Sequence, residues 1–302
     1  MSVLNEISKD WRLAWYYGQK AIRSPGLRQG LGRMMVGLQD KGPARGPAPN
    51  AAVVDRMARD LRRDGFAAMP DKTLSAQTLA DIGAHFKGVK GIDYYGSGAL
   101  YDLDQPIPED VIKLRYDNRD VTACRPLMDV ANDPDVLAAV ARHLGARPTI
   151  ATAEAWWTLG ESNAQGLAKK DDVFHRDVDD LRFVKLFIYL TDTDLLNGAH
   201  CFVLGSHDSA EFTRRGPISD SEVAATYPPE RLHSVVGKAG TVFLEDTWGI
   251  HRALLATQGR RLIFSVLYGL GALVPGGPSR PMWPCPPEYD PRVNRRLYYP
   301  AS

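Results

Sequence analysis

The hydrophobic period of this 302-residue chain changes once, near residue 148, and few features restrict its fold more. Before that point apolar residues recur at helical spacing. Val53, Val54, Met57 and Leu61 follow Asn50, a residue suited to capping, and stop at Gly65. Leu79, Ile82 and Phe86 follow Ser75, and Val136, Leu137, Val140 and Leu144 run from Asp133 to Gly145. Phe66 to Met69 reads as one short strand between helices, and residues 88–118 read as irregular. After residue 148 the pattern alternates. Short β runs are expected at Thr149–Thr158, Val173–Asp177, Phe183–Thr191, Ala199–Leu204, Ser234–Val236, Thr241–Leu244, Gly249–Leu254 and Arg261–Tyr268. Asn197-Gly198, Gly205-Ser206, Gly237 with Gly240, and Gln258-Gly259 supply turns between them. Helices followed by about eight strands predict an α+β protein with a jelly-roll core behind N-terminal helices.

Composition narrows the function class. Charged residues make up 24% and the net charge is +1, which says nothing in favour of a nucleic-acid partner. Three scattered cysteines make neither a disulfide framework nor a zinc knuckle, so a reducing, cytoplasmic setting is expected. No apolar run reaches the length of a membrane span. Residues 1–48 differ from the rest, with eight basic residues against three acidic ones and interleaved Trp11, Trp15, Tyr16, Tyr17, Leu27, Leu31 and Met34. Such an arm can lie on an anionic membrane surface. It can equally pack on the body or on a second subunit of a homo-oligomer, and packing is the commoner use of amphipathicity. A Pro/Gly linker, residues 42–49, closes it. The expected layout is therefore an arm and linker over 1–49 and one domain over 50–302. That domain has a helical part over about 50–147, a jelly-roll core over about 148–270 and a Pro-rich extension over 271–302, expected to wrap the outside.

The chemistry gathers around "VFHRDVDD", residues 173–180. On a strand, residues i and i+2 share a face, so His175 and Asp177 present an imidazole and a carboxylate to one side. With a second histidine they complete a two-histidine, one-carboxylate iron site. His251 lies 76 positions later, in "WGIHRA", and Arg261 follows ten residues after it. Each piece alone is common; the joint order is rarer. It comprises His-x-Asp on an early strand, Leu190-Thr191-Asp192, Asn197-Gly198, Gly205-Ser206-His207, a distal His, and an Arg on the last strand.

From about Trp156 to Tyr268 that order resembles the phytanoyl-CoA dioxygenase family of iron(II)/2-oxoglutarate oxygenases. Leu204 stands where the family commonly has proline. The resemblance implies that His175, Asp177 and His251 hold Fe(II), and that 2-oxoglutarate and O2 take the remaining positions. It also implies an arginine that grips the far carboxylate of the cosubstrate, for which a planar fork is well shaped. Arg261 is the first candidate and Arg260 its rival, because the family's arginine commonly sits one place further from the histidine. Strand alternation from Arg261 brings Ser265 to the same side as a hydroxyl donor. The implied reaction yields succinate, carbon dioxide and a hydroxylated small molecule. Asp177 favours hydroxylation over halogenation, since related halogenases carry a small residue there.

The remaining candidates are weighed against plain structural roles. His207, His200 and His233 are expected to be structural. Asp179 and Asp180 become ligand candidates only if the strand register slips. Lys185 is expected to be buried among Phe183, Val184, Leu186 and Phe187, and Trp156 and Trp157 to be core or pocket wall. Gly160–Asp172 and Tyr94–Tyr101 have the composition of lids. Three rival readings stand beside a hydroxylase of small molecules: an oxygenase docked on a membrane that acts on a lipid or lipid-linked sugar, a jelly-roll binding protein without activity, and a cupin-like site with another metal and no cosubstrate.

Overall fold

The computed structural model describes residues 7–8, 13–39, 42, 44–96, 98–160, 173–214, 216–271 and 280–300. Two of the predicted helices show how local sequence starts and stops them. Ala51–Asp64 begins where the Asn50 side chain accepts hydrogen bonds from the backbone N–H groups of Ala52 and Val53. It ends at Gly65, whose φ of 74° suits a residue without Cβ. Pro134–Leu144 is capped by Asp133 and ends at Gly145 with φ 80°. Ser75 caps Ala76–Phe86 in the same manner. Two further short helices, Asn118–Ala123 and Arg125–Ala131, escaped the period reading because one or two turns carry too little periodicity.

Eight strands form the main sheet. They are β1 Phe66–Ala68, β2 Gly91–Asp93, β3 Leu100–Tyr101, β4 Lys113–Arg115, β5 Thr149–Leu159, β6 Phe183–Tyr189, β9 Val242–Glu245 and β11 Arg260–Gly269. Their order is β1-β9-β6-β11-β5-β4-β2-β3. A second sheet, β10-β7-β8, joins His251–Ala253, His200–Val203 and Leu232–Val235. Every pairing in both sheets is antiparallel. The α+β jelly-roll expectation matches this arrangement.

One face of the main sheet is apolar and packs on the helices. Val184, Leu186, Ile188, Phe264, Val266 and Leu244 meet Met57, Leu61, Leu127, Val140 and Leu144 in one buried cluster. The alternate residues, Phe187, Tyr189, Phe243 and Ile263, join Phe202 and Val235 of the second sheet in another. The space between the sheets holds the site.

Three expectations are corrected. Residues 88–118 are not wholly irregular, because β2, β3 and β4 extend the main sheet; strands of two or three residues are too short to reveal alternation. Val173–Asp177 is not a strand. Only Phe174 and His175 form isolated bridges, to Ile218 and His251. The C-terminal extension does more than wrap, since Tyr289, Val293, Leu297 and Tyr298 are buried in the helix-side core.

The basic arm has one face on the body. Helices Leu13–Lys20 and Pro25–Leu38 carry Tyr16, Gln19 and Arg28 inward. Gln19 Nε2 donates to the Val178 carbonyl at 3.0 Å. Arg28 donates to the Asp180 carbonyl and lies over the Trp248 ring at 4.3 Å. The arm therefore rests on the turn that follows the His-x-Asp pair.

Candidate metal and cosubstrate site

His175 and His251 meet although 76 positions separate them, because their backbones bridge: His175 N–H donates to His251 O at 2.9 Å and the reverse bond is 3.0 Å. Asp177 is held by its N–H on the Thr247 carbonyl at 2.9 Å. Ligand atoms of His175, Asp177 and His251 all lie within 4.8 Å of one another. His251 Nε2 is 3.5 Å from Asp177 Oδ2, and His175 Nε2 is 3.8 Å from Asp177 Oδ1.

The backbone also sets the imidazole tautomers. Nδ1 of His175 lies 2.8 Å from the Val173 carbonyl, and Nδ1 of His251 lies 3.0 Å from that of Gly249. A carbonyl can only accept, so each Nδ1 carries a proton, and Nε2 is the ring atom left for a metal that displaces any proton there. That arrangement suits a divalent metal, and such outer bonds hold ligating rings in place. The donor set of two imidazoles and a carboxylate on one side suits iron(II) with open positions.

Electrostatics keep the carboxylate charged. Burial opposes ionisation of Asp177, yet Lys185, His251 and His175 outweigh it and hold its carboxyl well below the usual carboxylate range. Lys185 Nζ is 2.7 Å from Asp177 Oδ2 and 2.9 Å from Asp179 Oδ2. Burial opposes the Lys185 charge too, but the two carboxylates raise its pKa well above normal. His200, expected to be a plain strand-end residue, stacks on His251 with ring centroids 5.4 Å apart. Its Nε2 lies 2.8 Å from Glu245 of β9. Burial lowers its pKa more than Glu245 raises it.

The two arginine candidates point to opposite faces of β11. Arg261 is 2% exposed. It donates to the Gly198 carbonyl and, at 3.1 Å, to Thr158 Oγ1. Arg260 is exposed and donates to the Leu103 carbonyl at 3.2 Å. Ser265 lies on the Arg261 face, in register with Phe187 on β6 and Glu154 on β5. Burial pushes the Tyr189 hydroxyl up to about 12, although Arg261 pulls it down.

The other candidates lie elsewhere or serve structure. The Asp180 carboxylate accepts from the N–H groups of Leu181 and Leu270, at 2.7 and 2.8 Å. His233 packs its ring on Phe66, 4.7 Å between centroids. His207 occupies the short turn Ser206–Asp208 and borders a separate cleft with His143, Arg142 and Arg182. Trp156 faces the inter-sheet space, whereas Trp157 packs on the helix side and donates to Tyr116 at 3.0 Å. The lid Gly160–Asp172 falls outside the described residues beyond Gly160. Sequence reasoning missed the His200–Glu245 pair and the role of Lys185. A lysine in the middle of an apolar strand was the one available signal for the latter.

The family model described as phytanoyl-CoA dioxygenase (PhyH) matches residues 61–262, more than half of the chain. No curated protein matches significantly. Among solved structures, EctD from S. alaskensis with bound Fe is similar at 17% identity and TM-score 0.54, covering 85% of this chain and 90% of that one. The α-ketoglutarate-dependent epimerase SnoN from nogalamycin biosynthesis is similar at 19% identity and TM-score 0.52, covering 73% and 83%. The carbocyclase SnoK from the same biosynthesis is similar at 19% identity and TM-score 0.50, covering 75% and 86%. At these identities the structural likeness speaks for the fold.

Proposed function

Because this chain belongs to the phytanoyl-CoA dioxygenase family, we propose that it is an iron(II)- and 2-oxoglutarate-dependent dioxygenase that hydroxylates a small molecule. His175, Asp177 and His251 hold the iron, Arg261 grips the far carboxylate of 2-oxoglutarate, and Ser265 adds a hydroxyl. One observation carries the reading: three ligand atoms from distant chain positions gather within 4.8 Å, with both imidazole Nδ1 atoms tied to carbonyls. Iron(II) held there would, with 2-oxoglutarate and O2, supply oxidative decarboxylation to succinate and carbon dioxide coupled to hydroxylation of a substrate C–H bond.

The chain's own residues do the rest. Val173 and Gly249 carbonyls orient the imidazoles. Lys185 balances Asp177 and Asp179, so a negatively charged cosubstrate does not meet uncompensated carboxylates. Phe187, Phe243 and Ile263 keep bulk water from the inter-sheet space. The burial of Arg261, against the exposure of Arg260, supports Arg261 as the cosubstrate residue. Residues 50–302 act as one unit in this reading, and three unbridged buried cysteines suit a cytoplasmic setting.

Anaerobic titration with iron(II) and 2-oxoglutarate tests the proposal. A weak visible charge-transfer band is expected, lost in His175→Ala. Its absence from the wild type, together with no succinate release, leaves the inactive binding-protein reading.

A second reading concerns the arm. Its outer face exposes Trp15, Leu27, Met34 and Leu38, the last 83% exposed. Leu27, Met34 and Leu38 recur at helical spacing beside Arg33, as in a helix lying on an anionic surface. That reading makes the enzyme a peripheral one with a lipid-like substrate. Sedimentation with anionic vesicles, with and without residues 1–48, decides it: no difference removes it, and self-association without vesicles points to an oligomer instead.

A further inference from the structure

The inner faces of β4, β5, β6, β9 and β11 carry several charged groups, and nearly all have a partner. Lys185 has Asp177 and Asp179, Glu245 has His200, and Arg261 has Gly198 and Thr158. Lys113 lies over the rings of Tyr94 and Trp156, at 4.2 and 4.8 Å. Glu154 differs. It lies on β5 between Thr152 and Trp156, on the face directed into the inter-sheet space, in register with Ser265. Among the described residues its carboxylate has no hydrogen-bond or ion-pair partner. Burial raises its pKa, against the pull of Lys185 and Lys113.

A half-buried carboxylate that no described residue pairs is a cost to the fold, and a ligand that donates to it would offset that cost. The metal is not that contact, because Glu154 is absent from the group of gathered ligand atoms. Nor is 2-oxoglutarate, whose carboxylates need cations. The primary substrate remains.

We propose that Glu154 is a specificity residue that accepts a hydrogen bond from an O–H or N–H donor on the primary substrate, in the space between the two sheets. The inference rests on the oxygenase reading above. The substrate class is a polar small molecule bearing a hydroxyl or ammonium group, with that donor on the β5 side of the site.

The test compares wild type with Glu154→Gln and Glu154→Leu. The iron(II)/2-oxoglutarate band is recorded first; it is expected in all three, and its absence from wild type defeats the oxygenase reading rather than this one. Melting temperature comes second. Removing an unsatisfied carboxylate raises it in Glu154→Leu by a few degrees, roughly; a fall means that Glu154 serves structure, and overturns the proposal. Third, succinate release is measured with a panel of polyols and amino alcohols, each paired with its O-methylated or N-acylated analogue. Donor-bearing members are expected to stimulate wild type above their blocked analogues. Glu154→Leu should need about ten- to a hundredfold more of the same compound for half-maximal stimulation. Glu154→Gln should lose ammonium compounds more than hydroxyl ones. Equal stimulation by blocked analogues, an unchanged half-saturating concentration in Glu154→Leu, or silence of the whole panel overturns the assigned class.

Discussion

The two faces of the main sheet are made by the same strands and do opposite things. On β6, Val184, Leu186 and Ile188 enter the helix-side core, while Lys185, Phe187 and Tyr189 face the chamber. On β11, Leu262, Phe264 and Val266 go one way and Arg261, Ile263 and Ser265 the other. Period-2 alternation lets one strand carry stability and chemistry in adjacent residues. The outer face tolerates only apolar groups that fill space against helices. The inner face tolerates charge, because each ion there can be matched by a neighbour or a ligand.

The largest test of this division is His175→Ala. Loss of a ligand imidazole is expected to cut succinate release by more than about a hundredfold, beyond the range seen for outer-sphere partners. The melting temperature should change little. A variant that keeps the iron(II)/2-oxoglutarate band removes His175 from the site.

Arg261 sharpens the comparison within one strand. Arg261→Ala is expected to raise the half-saturating concentration of 2-oxoglutarate by about a hundredfold, from the loss of a buried, charge-assisted contact. Arg260→Ala, on the opposite face of the same strand, should leave it within about twofold, since an exposed contact contributes little. The reverse ranking would give the cosubstrate role to Arg260.

The outer face is probed by Leu186→Ala. Fully buried against the helices, it is expected to cost about 2–5 kcal/mol by denaturant unfolding while the folded fraction keeps the visible band. A lost band at unchanged stability would break the division.

The smallest effect is expected at the seam between helix layer and sheet. Asp246 Oδ2 lies 2.8 Å from His143 Nε2. Burial raises the Asp246 pKa, but the hydrogen bond and charge of His143 bring it below normal. A carboxylate with a depressed folded pKa stabilises above its unfolded pKa and loses that contribution as pH falls through the folded value. Asp246→Asn should therefore cost roughly 1–3 kcal/mol at pH 7, shrinking below about pH 4. A constant difference across that range would detach the effect from the Asp246 charge.

Legibility tracked how local the cause was. Asn50, Ser75 and Asp133 caps with Gly65 and Gly145 stops were readable because capping and left-handed closure act within a few residues. The long strands β5, β6 and β11 were readable from alternation. The two- and three-residue strands in 91–115 were not, because they exist by pairing with β5 rather than by their own pattern. At the site, the residue types and order of His175, Asp177, His251 and Arg261 stood out, although Val173–Asp177 turned out to be a bridge rather than a strand.

By itself, then, the chain's sequence determined where the longer capped helices begin and end, which strands carry two faces, and which donor types stand at which spacing. Tertiary structure decided that Lys185 bridges Asp177 and Asp179, that His200 pairs with Glu245 behind His251, that the basic arm rests on the turn after Asp177, and that Glu154 has no partner among the described residues. The reason is distance along the chain. A side chain's charge is compensated by whichever group folding brings within about 3 Å, and no local pattern encodes which group that will be.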